Sequence, residues 1–203
     1  MSNPRMLLAT GNAGKVREIR AILGDAGWEI LTPAEAGVAL GPVAEGGRSY
    51  AENAIAKAVA AANASGLPAL ADDSGIEVDA LDGRPGVTSA RYGGPSMRND
   101  HDRNALILRR LERVPAPRRT ACFRAVVALA FPGDRVFTRE GMVEGRIALA
   151  PQGANGFGYD PIFLLPDGRS MAEVGAAEKD RISHRALALA ALRPLLAELR
   201  AQA

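Results

Sequence analysis

Two neighbouring carboxylates, Asp72 and Asp73, follow the apolar run Leu67–Ala71 and precede Ser74–Gly75. Successive side chains of a strand point to opposite faces, so one carboxylate is expected to face a site while the other holds its surroundings. Oxygen ligands of this kind suit Mg2+, which takes one or two carboxylates and completes its shell with water and substrate phosphate. A second segment is Thr10–Gly11–Asn12–Ala13–Gly14–Lys15. It reads as the end of a strand and the start of a helix with a lysine in its first turn. Free N–H groups and the positive end of a helix dipole suit phosphate there, and Lys15 adds a point charge. The segment is too short for a Walker A loop, and Val16 stands where that motif needs Ser or Thr. A plain strand-to-helix turn and a solvated Asp turn remain the alternative readings of these two segments.

Two further segments carry possible base chemistry. Asn155–Gly156–Phe157–Gly158–Tyr159–Asp160–Pro161 sets glycines around two of the few aromatics. A ring presented by such a loop can stack on a nucleobase, and Asp160 can accept a hydrogen bond from it. The alternative is a surface loop with its rings tucked into the core. Lys179 and Ser183–His184–Arg185 lie near the start of the last helix, and an arginine can donate two bonds to acceptors on a base. The chain has 2 histidines. His101, between Asp100 and Asp102, is expected to be solvated. With no CxxC, no HExxH and no second histidine at ligand spacing, zinc is disfavoured. The single cysteine, Cys122, lies in the apolar run Ala121–Phe131, and a buried structural thiol is expected.

The elements that must position these residues follow from periodicity and punctuation. Arg5–Ala9 reads as a short strand, Gly14–Leu23 as a helix and Trp28–Leu31 as a second strand. Ser49–Tyr50–Ala51–Glu52 is a capping box. It opens an Ala-rich helix that runs to about Ala64 and is stopped by Gly66. Leu67–Ala71 reads as a strand ending at the Asp pair, and Ile76–Leu81 as a separate extended piece. Asp102–Leu111 looks helical. Thr120–Phe131 and Arg135–Gly141 look like strands joined by the turn Pro132–Gly133–Asp134. The stretch from Ile147 to Pro161 is Gly-rich and irregular. Leu189, Leu192, Leu196 and Leu199 recur at helical spacing, with Pro194 expected to kink that helix. Strands and helices interleave, which predicts an α/β fold with an elongated mixed β-sheet flanked by helices, in two lobes.

A chain of 203 residues with a net charge of +2 and 47% apolar residues is long enough for one large domain with a real core. The charge is too mild for a nucleic-acid coat, and no interleaved aromatics are available to stack bases along a strand. The Arg109, Arg110, Arg113, Arg118, Arg119 stretch is read as a solvated helix end and loop. No apolar run reaches about 18 residues, so no membrane span is expected. No signal peptide is seen ahead of the first strand, and a cytoplasmic setting is expected.

Taken together, the segments resemble the inosine/xanthosine triphosphate pyrophosphatase family, and its bacterial branch in particular. The matching stretches are Thr10–Lys15, Ser49–Lys57, Leu70–Gly75, Gly83–Tyr92, Gly156–Phe163 and Ile182–Arg185, running from residue 7 to about residue 190. The resemblance implies a single nucleoside-triphosphate pyrophosphatase domain over 1–203, with two lobes and a central cleft. It implies that the Thr10–Lys15 loop, with Asn12 and Lys15, and Lys57 contact a triphosphate. Glu45 and Asp73 would hold Mg2+, with Asp73 also the catalytic base and Ser74 a substrate contact. Phe157 would stack on the purine, with Gly158, Tyr159 and Asp160 lining its pocket. Lys179, His184 and Arg185 would read the base edge. The family's Glu-Thr-Gly pattern is Glu45–Gly46–Gly47 here, which keeps the carboxylate and loosens its loop. A homodimer is also implied. The expected substrates are ITP, dITP and XTP, cut to the monophosphate and pyrophosphate. The rival readings are a related pyrophosphatase acting on pyrimidine or modified nucleotides, a non-catalytic nucleotide sensor and a nucleic-acid-binding protein. The paired carboxylates speak against the sensor.

Overall fold

The computed structural model describes residues 3–41, 43, 46–133 and 135–202. The chain begins with a parallel unit: strand β1 (Arg5–Leu8), helix α1 (Ala13–Leu23) and strand β2 (Glu29–Leu31). β1 and β2 pair in register from Arg5 opposite Glu29 to Leu7 opposite Leu31. Asn12 caps α1, its side-chain oxygen accepting the Lys15 N–H at 3.0 Å. The cap places Lys15 in the first turn, while Glu18, Ile19, Ile22 and Leu23 form the buried face.

Helix α2 (Tyr50–Ser65) opens as the capping pattern predicts. Ser49 Oγ accepts the Glu52 N–H at 3.1 Å, and the Glu52 carboxylate reaches back to the Arg48 N–H at 2.7 Å. Gly66 closes the helix with a φ of 69°, a left-handed conformation that favours glycine.

Strand β3 (Ala69–Val78) departs from expectation. The two short pieces predicted on either side of the Asp pair are one strand of 10 residues that runs straight through Asp72–Gly75. The sequence favours a strand end at this pair because Asp, Ser and Gly bond to their own backbone and interrupt a ladder. Here side chains from other elements satisfy both carboxylates, so the ladder continues. Strand β4 (Arg84–Pro85) pairs antiparallel with β3. Helix α3 (Asp100–Arg110), strands β5 (Thr120–Ala130), β6 (Val136–Ile147) and β7 (Phe163–Leu164), and helices α4 (Ala176–Ile182) and α5 (His184–Ala201) complete the fold. β6 runs six residues beyond its predicted end at Gly141. α5 continues unbroken through Pro194. The strand order is β2-β1-β3-β5-β6-β7, with β4 against β3, and β1 lies parallel to both β2 and β3 while β7 is antiparallel to β6. The mixed α/β sheet flanked by helices is the predicted class.

The chain divides into two compact units. The first comprises Met1–Asp73, Ala125–Gly141 and His184–Ala203. Its core joins Met6 and Leu8 of β1, Ile19 and Leu23 of α1, and Leu189, Leu192 and Leu196 of α5. The second comprises Ser74–Arg124 and Met142–Ser183. Its core joins Ile76 and Val78 of β3, Ile107 and Leu111 around α3, and Phe123 and Phe163, whose ring centroids are 4.4 Å apart. Arg119, read from sequence as solvated, is 4% exposed. Its guanidinium donates to the carbonyls of Val114, Ala148 and Leu111 at 2.8–3.0 Å. Among the described residues, no helix is long and apolar enough to cross a membrane.

Candidate active site

In the first unit, α1, α2, α5 and the first half of β3 bring charged side chains to one place. Asp72 and Asp73 are both buried. Lys15 pairs with the Asp72 carboxylate, and its ammonium is 3.4 Å from the Asp72 carbonyl. Lys57 donates to that same carbonyl at 2.9 Å and to Asp73 Oδ1 at 2.8 Å. Two lysines from two helices therefore meet on one peptide oxygen of β3. Asn53 Nδ2 donates to Asp73 Oδ2 at 3.0 Å. Asn53 and Lys57 stand four residues apart on α2 and so share a face.

Arg185, expected to read a base edge, is 2% exposed. Its Nε donates to Asp72 Oδ2 at 3.1 Å, its Nη2 to Asp72 Oδ1 at 3.3 Å, and its Nη1 to Glu18 at 2.6 Å. The guanidinium is thus committed to two carboxylates of its own unit, and it positions Asp72. Burial pushes the Asp72 carboxyl up, but Arg185 and Lys15 outweigh burial and hold it well below the usual carboxylate range. Burial lowers the Lys15 ammonium against the opposing pull of Asp72.

The remaining first-unit candidates are placed as follows. Thr10 Oγ1 accepts the Asn12 N–H at 3.2 Å, which shapes the Gly11–Gly14 approach to α1. Asn12's own side chain is used in capping. His184 is buried at the start of α5. Glu45 lies outside the described residues.

In the second unit, the Gly-rich segment is a fixed loop. Asp160 is 3% exposed, and its Oδ2 accepts the Phe157 N–H at 2.8 Å and the Lys179 ammonium at 2.5 Å. That ammonium also sits 4.8 Å from the centre of the Phe157 ring, a cation–π distance. A side chain at Gly156 would run into the Asp160 carboxylate, which explains the glycine. Tyr159 is buried and donates to the Ser89 carbonyl at 2.7 Å, and burial pushes its hydroxyl pKa up. Gly158 N–H donates to Asp100 at 2.8 Å. Ser74 begins the second unit's part of β3 and is half-buried. Cys122 is half-buried rather than buried, 3.5 Å from a Glu77 carboxylate oxygen, and burial with that carboxylate pushes its thiol up to about 11. A thiol raised in this way is held largely in its protonated form at neutral pH. His101 is solvated as expected, its side chain 85% exposed.

Sequence reasoning named both lysines but missed Glu18, Asn53, Asp100 and Asn104. A polar residue at helical spacing from a candidate, as Asn53 is from Lys57, was the available signal. For Asp100 and Asn104 no local signal exists, since their partner is 54 to 58 residues away.

The Asp73 carboxylate has oxygen acceptor capacity to spare for a divalent ion. Each Asp73 oxygen accepts one hydrogen bond, from Lys57 or Asn53, whereas a carboxylate has about four acceptor positions. Asp73 therefore fits as one protein ligand of an ion that draws the rest of its shell from water and phosphate. Among the described residues, no group of three or more His, Cys, Asp or Glu side chains is arranged to hold a metal.

In the first unit, lysines from α1 and α2 gather at the paired carboxylates of β3, within a mixed α/β fold. Comparison with known proteins makes the class specific. The family model described as the Ham1 family matches residues 6–195, and the chain belongs to that family. It is 51% identical over 194 residues to a dITP/XTP pyrophosphatase of Symbiobacterium thermophilum, covering 94% of this chain and 93% of the relative. A dITP/XTP pyrophosphatase of Thermus thermophilus is 50% identical, with 93% and 89% covered. Among solved structures, a HAM1 protein from Coxiella burnetii superposes with a TM-score of 0.86 at 40% identity, covering 96% of this chain and 99% of that one.

Proposed function

We propose that this chain hydrolyses ITP, dITP and XTP to the monophosphate and pyrophosphate, and so keeps deaminated purines out of DNA and RNA. The observation that carries the reading is the meeting of Lys15 and Lys57 on the Asp72 carbonyl beside the Asp73 carboxylate. Half identity to relatives named as dITP/XTP pyrophosphatases supports the substrate class.

In this reading the first unit binds the polyphosphate. Lys15 and Lys57 offset its charge, and the Gly11–Gly14 backbone at the α1 N-terminus adds N–H donors. Mg2+ is the proposed ion, held by Asp73 and Glu45; when bound, it neutralises phosphate charge and polarises phosphoryl oxygens. Asp73 accepts a proton from water as the water oxygen bonds to the α-phosphorus. The bond from that phosphorus to the bridging oxygen breaks, and pyrophosphate leaves with the electron pair. No covalent intermediate forms. Arg185 acts by holding Asp72 rather than by touching the base.

The second unit binds the purine. Phe157 stacks on it, and Lys179, whose ammonium lies over the Phe157 ring and on Asp160, is assigned to the base edge. An ammonium only donates, so it matches the 6-carbonyl of hypoxanthine or xanthine and opposes the 6-amino group of adenine. Leaving such groups unpaired in a buried site costs about 1–3 kcal/mol each. His184 and Ser74 are assigned further substrate contacts. The proposal takes residues 1–203 as one domain of two lobes, acting as a homodimer in the cytoplasm; sedimentation equilibrium checks the dimer.

The test is a panel of nucleoside triphosphates with Mg2+, following pyrophosphate and orthophosphate separately. ITP, dITP and XTP are expected to turn over fastest, releasing pyrophosphate alone, with activity lost on chelation. Preference for ATP, or direct release of orthophosphate, rejects the reading.

A further inference from the structure

One residue of the second unit, Gly158, has both its backbone N–H and its carbonyl held by a single helix face. Asp100 and Asn104 stand four residues apart on α3 and so share a face. Asp100 Oδ2 accepts the Gly158 N–H at 2.8 Å, and Asn104 Nδ2 donates to the Gly158 carbonyl at 3.0 Å. Gly158 has a φ of 66°, a left-handed conformation open to glycine, whose backbone loses more freedom on ordering than that of any other residue. Asp100 is itself steadied by Arg103 at 2.5 Å. Asn104 is 5% exposed, and its remaining oxygen has no hydrogen-bond partner among the described residues. A core position that tolerates an unmatched acceptor keeps its amide for what the other end does.

We propose that Asp100 and Asn104 are positioning residues for purine binding: their clamp on Gly158 fixes the backbone on which Phe157 is presented. The inference rests on the reading of Phe157 as the purine platform. The Asp160 contacts fix the loop on the Phe157 side, and the α3 clamp fixes the following residue. Neither clamp side chain contacts substrate. A pre-set platform avoids the ordering cost that a mobile loop would carry at each binding event.

The test compares wild type with Phe157→Ala, Asn104→Ala, Asp100→Ala and Asp100→Asn. The KM and kcat for ITP are measured, together with competitive inhibition by inorganic tripolyphosphate, which reports only on polyphosphate binding. Asn104→Ala and Asp100→Ala are expected to raise KM about tenfold, the size of one lost hydrogen bond, with kcat little changed. Tripolyphosphate inhibition stays at the wild-type value. Asp100→Asn keeps an acceptor oxygen and restores most of the KM. Should Asn104→Ala fail to fold, the half-exposed Asp100 pair of variants carries the same comparison. A raised KM in Phe157→Ala with wild-type KM in the clamp variants overturns the clamp alone. A loss of tripolyphosphate inhibition parallel to the KM change also overturns it, because that marks general damage. Wild-type KM in Phe157→Ala strikes the platform reading and the clamp with it.

Discussion

The two units place their chemistry by opposite means. In the first, charged side chains hold one another: Lys15, Lys57 and Arg185 converge on Asp72 and Asp73 from three helices onto a strand. In the second, an irregular loop is held through its backbone, with the Phe157 and Gly158 N–H groups and the Gly158 carbonyl all bonded to side chains. In the proposed reading the first unit's charges meet polyphosphate, and they gain from rigid helices and a strand because each ion pair is strong only at fixed short range. A ring proposed to meet a flat base needs orientation more than charge, and backbone bonds supply it.

The first way to break this contrast is to remove the buried cation of the first unit. Arg185→Met leaves Asp72 and Glu18 facing each other's charge without it, and is expected to cost about 3–5 kcal/mol in urea unfolding. The matching variant of the loop, Phe157→Ala, is expected to cost far less stability. The same ion pairs set the acid limit. Asp72's folded pKa is depressed, so its contribution is fully present above the unfolded value of about 3.9 and is lost as pH falls below that. Unfolding followed against pH should show stability insensitive to Asp72 from neutrality to about pH 4 and declining below it.

Next in size is Asp73→Asn, which would remove the proposed metal ligand and the proposed base together; turnover is expected to fall by more than about 100-fold. Pyrophosphate release under saturating ITP measures it, and near-normal turnover would end the assignment of Asp73. Phe157→Ala sharpens the contrast from the other side: KM for ITP should rise about tenfold while tripolyphosphate inhibition holds, since stacking is worth about 1–3 kcal/mol per base. The smallest effect belongs to Cys122→Ala. Its thiol pKa is raised and the proposed reaction does not use it, so kcat should stay within about twofold of wild type.

How much was legible in the sequence follows the same divide. Residues whose role depends on neighbours in the chain were readable: the Ser49 capping box, the Gly66 stop and the leucine stripe of α5. Lys57 was legible only through the family resemblance, whereas Lys15 and the Asp pair were readable because of their place at element ends and the cost of burying such charges. That β3 runs through the Asp pair was not, because the side chains that replace a turn come from α1, α2 and α5. The solvated reading of Arg119 failed for a similar reason: its three carbonyl partners lie around it only after folding. The Gly158 clamp was beyond reach, since nothing near residue 100 or 104 points to residue 158.

The account turns on water reaching the α-phosphorus beside Asp73. A single turnover of ITP in 18O-labelled water, with mass analysis of both products, reads that step directly. Label in the monophosphate and none in pyrophosphate is the predicted result; label in pyrophosphate would contradict it.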